Sequence, residues 1–199
     1  MSYPSSVKKL IECLKDLPGI GEKSAERLAF SMVNFDKNQL TDFSDAILEV
    51  RDKLTKCVIC HNISDSEKCF ICENKARNDE TIVVIETAKD IILFEKIGMY
   101  HGKYHVLEGL ISPSAGINPS DINIKSLIER IKKNNTKELI FALKSNIEGE
   151  TTTQYIKRLL ADTEIKISKI AHGIPLGTEM EYIDALTLEM ALEERKEIS

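Results

Sequence analysis

The tightest constraint on this chain is a run of four cysteines between residues 57 and 72. Cys57-x2-Cys60 and Cys69-x2-Cys72 are separated by eight residues. Each pair can curl around one ion, and the eight-residue loop lets the pairs converge. The spacing therefore suits four thiolates of a closed tetrahedral Zn²⁺ site, one ion per chain, with no position left for a substrate. Metal is preferred to disulfides because "MSYPSSVKKL" has no apolar core behind its basic residues and so is not read as an export signal. Two redox pairs, or four inert thiols, are the alternatives. The enclosing stretch "CVICHNISDSEKCFICENKARND" has no periodicity and little apolar content. It is too small to own a core, and binding an ion would fold it. His61, beside Cys60, is not needed as a ligand, since four cysteines fill the sphere. Cys13 reads as a helix residue without a chemical role.

Before the cysteines the apolar spacing is helical. Val7, Leu10, Ile11 and Leu14 form one stripe, Ala25, Leu28, Ala29 and Met32 a second, and Leu40, Phe43, Ile47, Val50 and Leu54 a third. Helices this short must pack on each other or on a partner. The first two are joined by "LPGIG". A Gly-x-Gly turn in front of a helix exposes backbone N–H groups where the helix carries partial positive charge, which suits one phosphate oxygen. Lys23 and Arg27, four apart, share a face of the second helix and could reach neighbouring phosphates without reading bases. Glu22 and Glu26 interleave with them and weaken that face. The same glycines equally suit a plain helix-helix turn, and the residues alone leave both readings open.

After residue 80 the pattern alternates. "TIVVIE", "KYHVLEG", "ELIFALK" and "EIKISKIA" read as buried strands, and the stretches between them as helices around Ile91, Ile92 and Phe94, then Ile124–Ile131, then Ile156–Leu160. That order predicts a mostly parallel sheet with helices on its faces. "EYIDALTLEMALEERKE" predicts a closing helix. Glu86 ends the first strand, and Glu148 and Glu150 follow the third, at the sheet edge where such folds bind ligands. Together these carboxylates could hold Mg²⁺; singly they read as solvated loop residues. His172 in "AHGIPLG" reads as part of a shaped loop.

The net charge of −5 does not advertise a nucleic-acid binder. Residues 1–56 nonetheless carry nine Lys/Arg against nine Asp/Glu, so the deficit lies downstream and DNA contact by this third is permitted. No apolar run is long enough for a membrane span, and the cytoplasm is the expected location.

"LPGIGEKSAERLAF", the cysteine quartet, "GKYHVLEGLISPSAGINPSDI" and "IAHGIPLGTEMEYIDALTLEMALE" resemble, in order and spacing, the RecR family of bacterial recombination mediators over essentially the whole chain. The resemblance implies an α/β multidomain protein. A helix-hairpin-helix domain would span 1–56, a four-cysteine zinc finger 57–79, a Toprim domain 80–174, and a C-terminal segment that contacts other copies 175–199. It implies a non-enzymatic mediator of recombinational DNA repair. Such proteins form homo-oligomeric rings, here a dimer to tetramer, that clamp single- or double-stranded DNA and help load RecA together with RecO and RecF, in the cytoplasm at the nucleoid. Gly19, Gly21, Lys23 and Arg27 would contact DNA inside the ring, and Cys57, Cys60, Cys69 and Cys72 would hold zinc. Glu86 matches the Toprim glutamate, and 145–150, with Glu148 and Glu150, the acidic loop. The chain departs from catalytic Toprim domains, which carry Asp-x-Asp where it has "LKSNIEGE". Lys144-Ser145 stands where the family commonly shows Asn-Pro, and a lysine there disfavours a cation. A Mg²⁺-dependent nuclease or primase-like enzyme thus lacks its aspartates, and the acids read as a surface for partners. A third alternative is a protein-interaction scaffold that touches no DNA.

Overall fold

The computed structural model describes residues 3–171, 173–174 and 177–195. His172 and Pro175 of the expected loop lie outside them. The chain divides into two compact units, one ending at Leu54 and the other beginning at Thr55.

In the first unit, α1 (Ser5–Lys15) and α2 (Glu22–Val33) form a helical hairpin around Ile11, Leu14, Ala25 and Ala29, all buried. Two alanines on α2 let the helices approach closely, and Val7, Leu10, Ile20, Leu28 and Met32 close the sides. The third apolar stripe becomes α3 (Lys37–Lys53), started by a capping box in which Asp36 and Gln39 exchange backbone hydrogen bonds. No residue of α3 is buried.

The second unit is built on a four-stranded, all-parallel sheet in the order β4-β3-β5-β6. The strands are β3 (Thr81–Ile85), β4 (Lys103–Val106), β5 (Glu138–Ala142) and β6 (Lys166–Lys169), preceded in the chain by β1 (Thr55–Lys56) and β2 (Ile63–Ser64). Helices α5 (Ala88–Ile97), α6 (Ile124–Lys133) and α7 (Ile147–Leu159) connect the strands, as parallel pairing requires. The "IVVI" run is buried on both faces because alternate side chains enter different cores. Ile82 and Val84 join Leu127, Leu139 and Ile156 on one face, while Val83 and Ile85 join Ile91 and Tyr104 on the other. The closing helix α8 (Ala185–Glu193) starts later than the periodicity predicts. Asp184 accepts from the Thr187 N–H and hydroxyl, and a 3₁₀ turn at Met180–Tyr182 precedes it.

The cysteine segment is where periodicity had least to offer. It contains a two-stranded antiparallel ribbon, β1 (Thr55–Lys56) with β2 (Ile63–Ser64), and a single turn of helix, α4 (Phe70–Glu73). It borrows its core from the sheet: Cys57, Cys60, Cys69 and Ile71 sit in one cluster with Val83, Ile85, Tyr104 and Val106. The segment also seals the free edge of β4, whose Val106 N–H donates to the Cys60 carbonyl at 2.8 Å.

Candidate metal centre and nucleic-acid interface

Two knuckles bring the four sulfurs together. In the first, His61 N–H donates back to the Cys57 carbonyl (2.9 Å) and Cys57 N–H to the Asn62 carbonyl (2.8 Å), so the chain reverses between the two cysteines. His61 occupies the left-handed region, φ 60°, to complete that turn. In the second, Cys69 precedes α4, whose first turn presents Cys72. All four Sγ atoms lie within 4.8 Å of one another, and Cys57, Cys60 and Cys69 are buried. Cys60 and Cys69 Sγ are 3.5 Å apart. That contact pushes the Cys60 thiol up and draws Cys69 down. Four soft donors converging from two short loops, with no carboxylate among them, fit a structural Zn²⁺. A Zn²⁺ bound there would displace the thiol protons and join the two knuckles to each other. His61 does not join the group of converging ligands, and its Nε2 is hydrogen-bonded to Ser126 Oγ at 2.8 Å.

One contributor to this centre had no sequence signal. Lys103 opens β4 and is 2% exposed. Its Nζ donates to the carbonyls of Ile71 (2.8 Å), Cys72 (3.2 Å) and Asn74 (2.9 Å), the end of the second knuckle. A lysine at the head of a strand ordinarily reads as an exposed edge charge; only the fold turns it beneath the cysteines.

At the helical hairpin, Gly19 takes φ +84°, where other residues are strained. Gly21 is different: it precedes α2 at φ −88°, in ordinary extended conformation, and a Cβ there would meet nothing within 4 Å. The fold of the unit does not demand a glycine at 21. Its absence of side chain leaves the first N–H groups of α2 open to an approaching body. Lys23 and Arg27 make no ion pair among the described residues, and neither is buried. The two acids that the sequence sets against them are engaged elsewhere. Glu22 pairs with Lys15 Nζ at 2.8 Å, and Lys15 is raised by its bonds to Glu22 and Glu12. Glu26 faces the Tyr3 hydroxyl, whose pKa its charge pushes up.

The carboxylates of the sheet edge do not assemble into a ligand set. Among the described residues, the cysteines alone form a group of three or more metal-type ligands. Glu86 pairs with Lys144 Nζ at 3.1 Å. The stretch expected as an acidic loop over 145–150 is helical from Ile147, because Asn146 caps it by accepting from Gly149 N–H. Glu148 and Glu150 thus lie in the first turn of α7, where the helix dipole stabilises them, and Glu150 faces Lys169 at 3.9 Å. Beside them α5, α7, α8 and the ends of β5 and β6 enclose a largely apolar groove of about 740 Å³, lined by Leu93, Phe94, Leu143, Ile170, Leu186 and Met190.

Comparison with known proteins gives four successive matches along the chain. Family models match in sequence order: the RecR helix-hairpin-helix at residues 7–51, the RecR four-cysteine zinc finger domain at 54–74, the Toprim domain at 80–171, and the RecR C-terminal region at 173–196. A curated relative, "Recombination protein RecR" of Lactobacillus delbrueckii subsp. bulgaricus, is 45% identical over 199 residues and is covered, as this chain is, from end to end.

Proposed function

The chain belongs to the RecR family of recombination proteins, and from that membership we propose that it is a non-enzymatic mediator of recombinational repair that clamps DNA as a homo-oligomer. The observation that carries the DNA contact is the hairpin. Gly21 leaves the amino end of α2 open, Lys23 and Arg27 make no ion pair beside it among the described residues, and of the two acids nearby Glu22 is paired with Lys15 and Glu26 faces Tyr3. Backbone N–H groups and two long cationic side chains recognise phosphates and not bases, so binding is indifferent to sequence.

Each hairpin offers only two such cations, and the chain is acidic overall, so grip comes from several copies acting together. Support for self-association is α3, which presents Leu40, Phe43, Ile47 and Val50 to solvent at 42–59% exposure. A 17-residue helix with no buried residue does not hold its apolar stripe in water without a partner. Residues 175–199 supply a second contact between copies, through the exposed Met180, Tyr182 and Leu192. In this reading the acidic edge around Glu86, Glu148 and Glu150, with its apolar groove, receives partner proteins, namely RecO and RecF, in loading RecA. It does not carry out Mg²⁺ chemistry, since Lys144 lies on Glu86. Such a protein works in the cytoplasm at the nucleoid; no described helix is long and apolar enough to cross a membrane.

The test is the mass of the full-length protein in solution, with and without gapped DNA, alone and with RecO, beside a mobility shift at low salt. A multimer that retards DNA of unrelated sequences equally is expected. A protein that stays monomeric on DNA, or retards none, overturns the reading.

A further inference from the structure

Lys103 is the most deeply buried charged side chain whose role the DNA-clamp reading leaves unexplained. Its three N–H donors are all used by the carbonyls of Ile71, Cys72 and Asn74. The nearest carboxylate, Asp79 Oδ1, is 3.6 Å away on a side chain 72% exposed, so water screens it. A charge so withdrawn from solvent is costly unless an opposite charge lies nearby in the same low-dielectric region. Four thiolates around one Zn²⁺ leave a net charge of about −2. That centre contains Cys72, whose own carbonyl Lys103 grips, and it shares a core with β4.

We propose that Lys103 is the positioning residue and charge partner of the zinc–thiolate centre. Its ammonium offsets the excess negative charge, and its three hydrogen bonds hold the second knuckle in the geometry that presents Cys69 and Cys72. The first knuckle is tied to the same strand three residues on, through Val106 N–H and the Cys60 carbonyl. Strand β4 therefore spans both halves of the centre, and metal occupancy is transmitted to the edge of the Toprim sheet through Lys103. The inference rests on the zinc reading, which zinc analysis of the wild-type protein tests separately: less than one ion per chain would remove both.

The full-length protein, zinc-loaded, is compared with Lys103→Met and Lys103→Arg by competition against a chromophoric chelator. Removing an outer-shell partner weakens metal affinity about 10–100-fold. That loss is expected for Lys103→Met, with most of the affinity recovered in Lys103→Arg, which keeps charge and donors. With Co²⁺ in place of zinc, the sulfur-to-cobalt charge-transfer bands should move to lower energy in Lys103→Met, because the thiolate electrons lose a stabilising positive charge. A Lys103→Met protein with wild-type zinc affinity and unshifted cobalt bands overturns the proposal, as does a folded Lys103→Arg no tighter than the Met variant. If Lys103→Met does not fold, acylation of lysines in the wild-type protein decides. Lys103 should be protected with zinc bound and become reactive when zinc is extracted; equal protection in both states refutes the coupling.

Discussion

Replacing Lys23 and Arg27 together by alanine tests the hairpin most directly. Neither side chain belongs to the buried Ile11–Leu14–Ala25–Ala29 core or to any ion pair among the described residues. Their loss should leave stability unchanged within about 0.5 kcal/mol. Their contribution to binding follows from counterion release. Each phosphate contact on duplex DNA adds about −0.9 to the slope of log K against log salt. The double variant should therefore flatten that slope by about 1.8 for every hairpin engaged. Raising salt from about 50 to 200 mM costs roughly 3.5-fold per contact, so each wild-type hairpin loses about 12-fold that the variant no longer loses. At fixed low salt, two exposed charge contacts of about 0.5–1 kcal/mol each make the variant some 5–30-fold weaker per hairpin. Fluorescence anisotropy with two unrelated duplexes, titrated at several salt concentrations, gives both numbers. A variant with unchanged slope, or one weakened on one sequence only, would refute the phosphate-contact argument even if its affinity fell.

Three further outcomes follow from contacts elsewhere. A Cβ on Gly149 would collide with the Lys144 carbonyl, so Gly149→Ala should cost about 1–3 kcal/mol, lowering the melting midpoint by about 2–4 °C per kcal/mol; a midpoint at or above wild type would show that the loop gives way freely. His105 is held to about 3, mainly by burial, against its ordinary 6.5. A histidine buried neutral contributes stability that is complete above 6.5 and lost as pH falls toward 3, so wild type should lose up to about 1.4 kcal/mol more per pH unit in that window than His105→Gln. Urea melts at several pH values, read as the difference between the two proteins, check this, and parallel curves would sink it. Because Lys144 neutralises Glu86 at 3.1 Å, millimolar Mg²⁺ should not raise the melting midpoint of the wild-type protein, and a saturable rise would mean that the carboxylates converge on a cation after all.

The local rules of the chain were legible in its residues. Apolar spacing marked α1, α2 and most connecting helices, because backbone geometry imposes a period of 3.6 whatever surrounds them, and short apolar runs marked the four strands, although β6, read as buried, has no buried residue. The cysteine spacing pointed to a closed four-thiolate metal site, and the match to the RecR four-cysteine zinc finger domain identifies the ion as zinc. Features that depend on neighbours distant in sequence were decided only in three dimensions. Nothing in "EKSAERLA" reveals that Glu22 is paired with Lys15 or that Glu26 faces Tyr3, so the sequence alone does not say how far these acids weaken the basic face. "KYHV" does not announce that its lysine will be buried under a knuckle some thirty residues upstream, and "EKCFICENK" does not say whose core it will share. The acids of "LKSNIEGE" became the start of α7, and Glu86 an ion-pair partner, because Asn146 caps that helix and Lys144 reaches back 58 residues. Hydrophobic period and ligand spacing are short-range quantities that a chain carries wherever it goes. Charge pairing and burial depend on which surfaces meet, and only the folded structure brings those surfaces together.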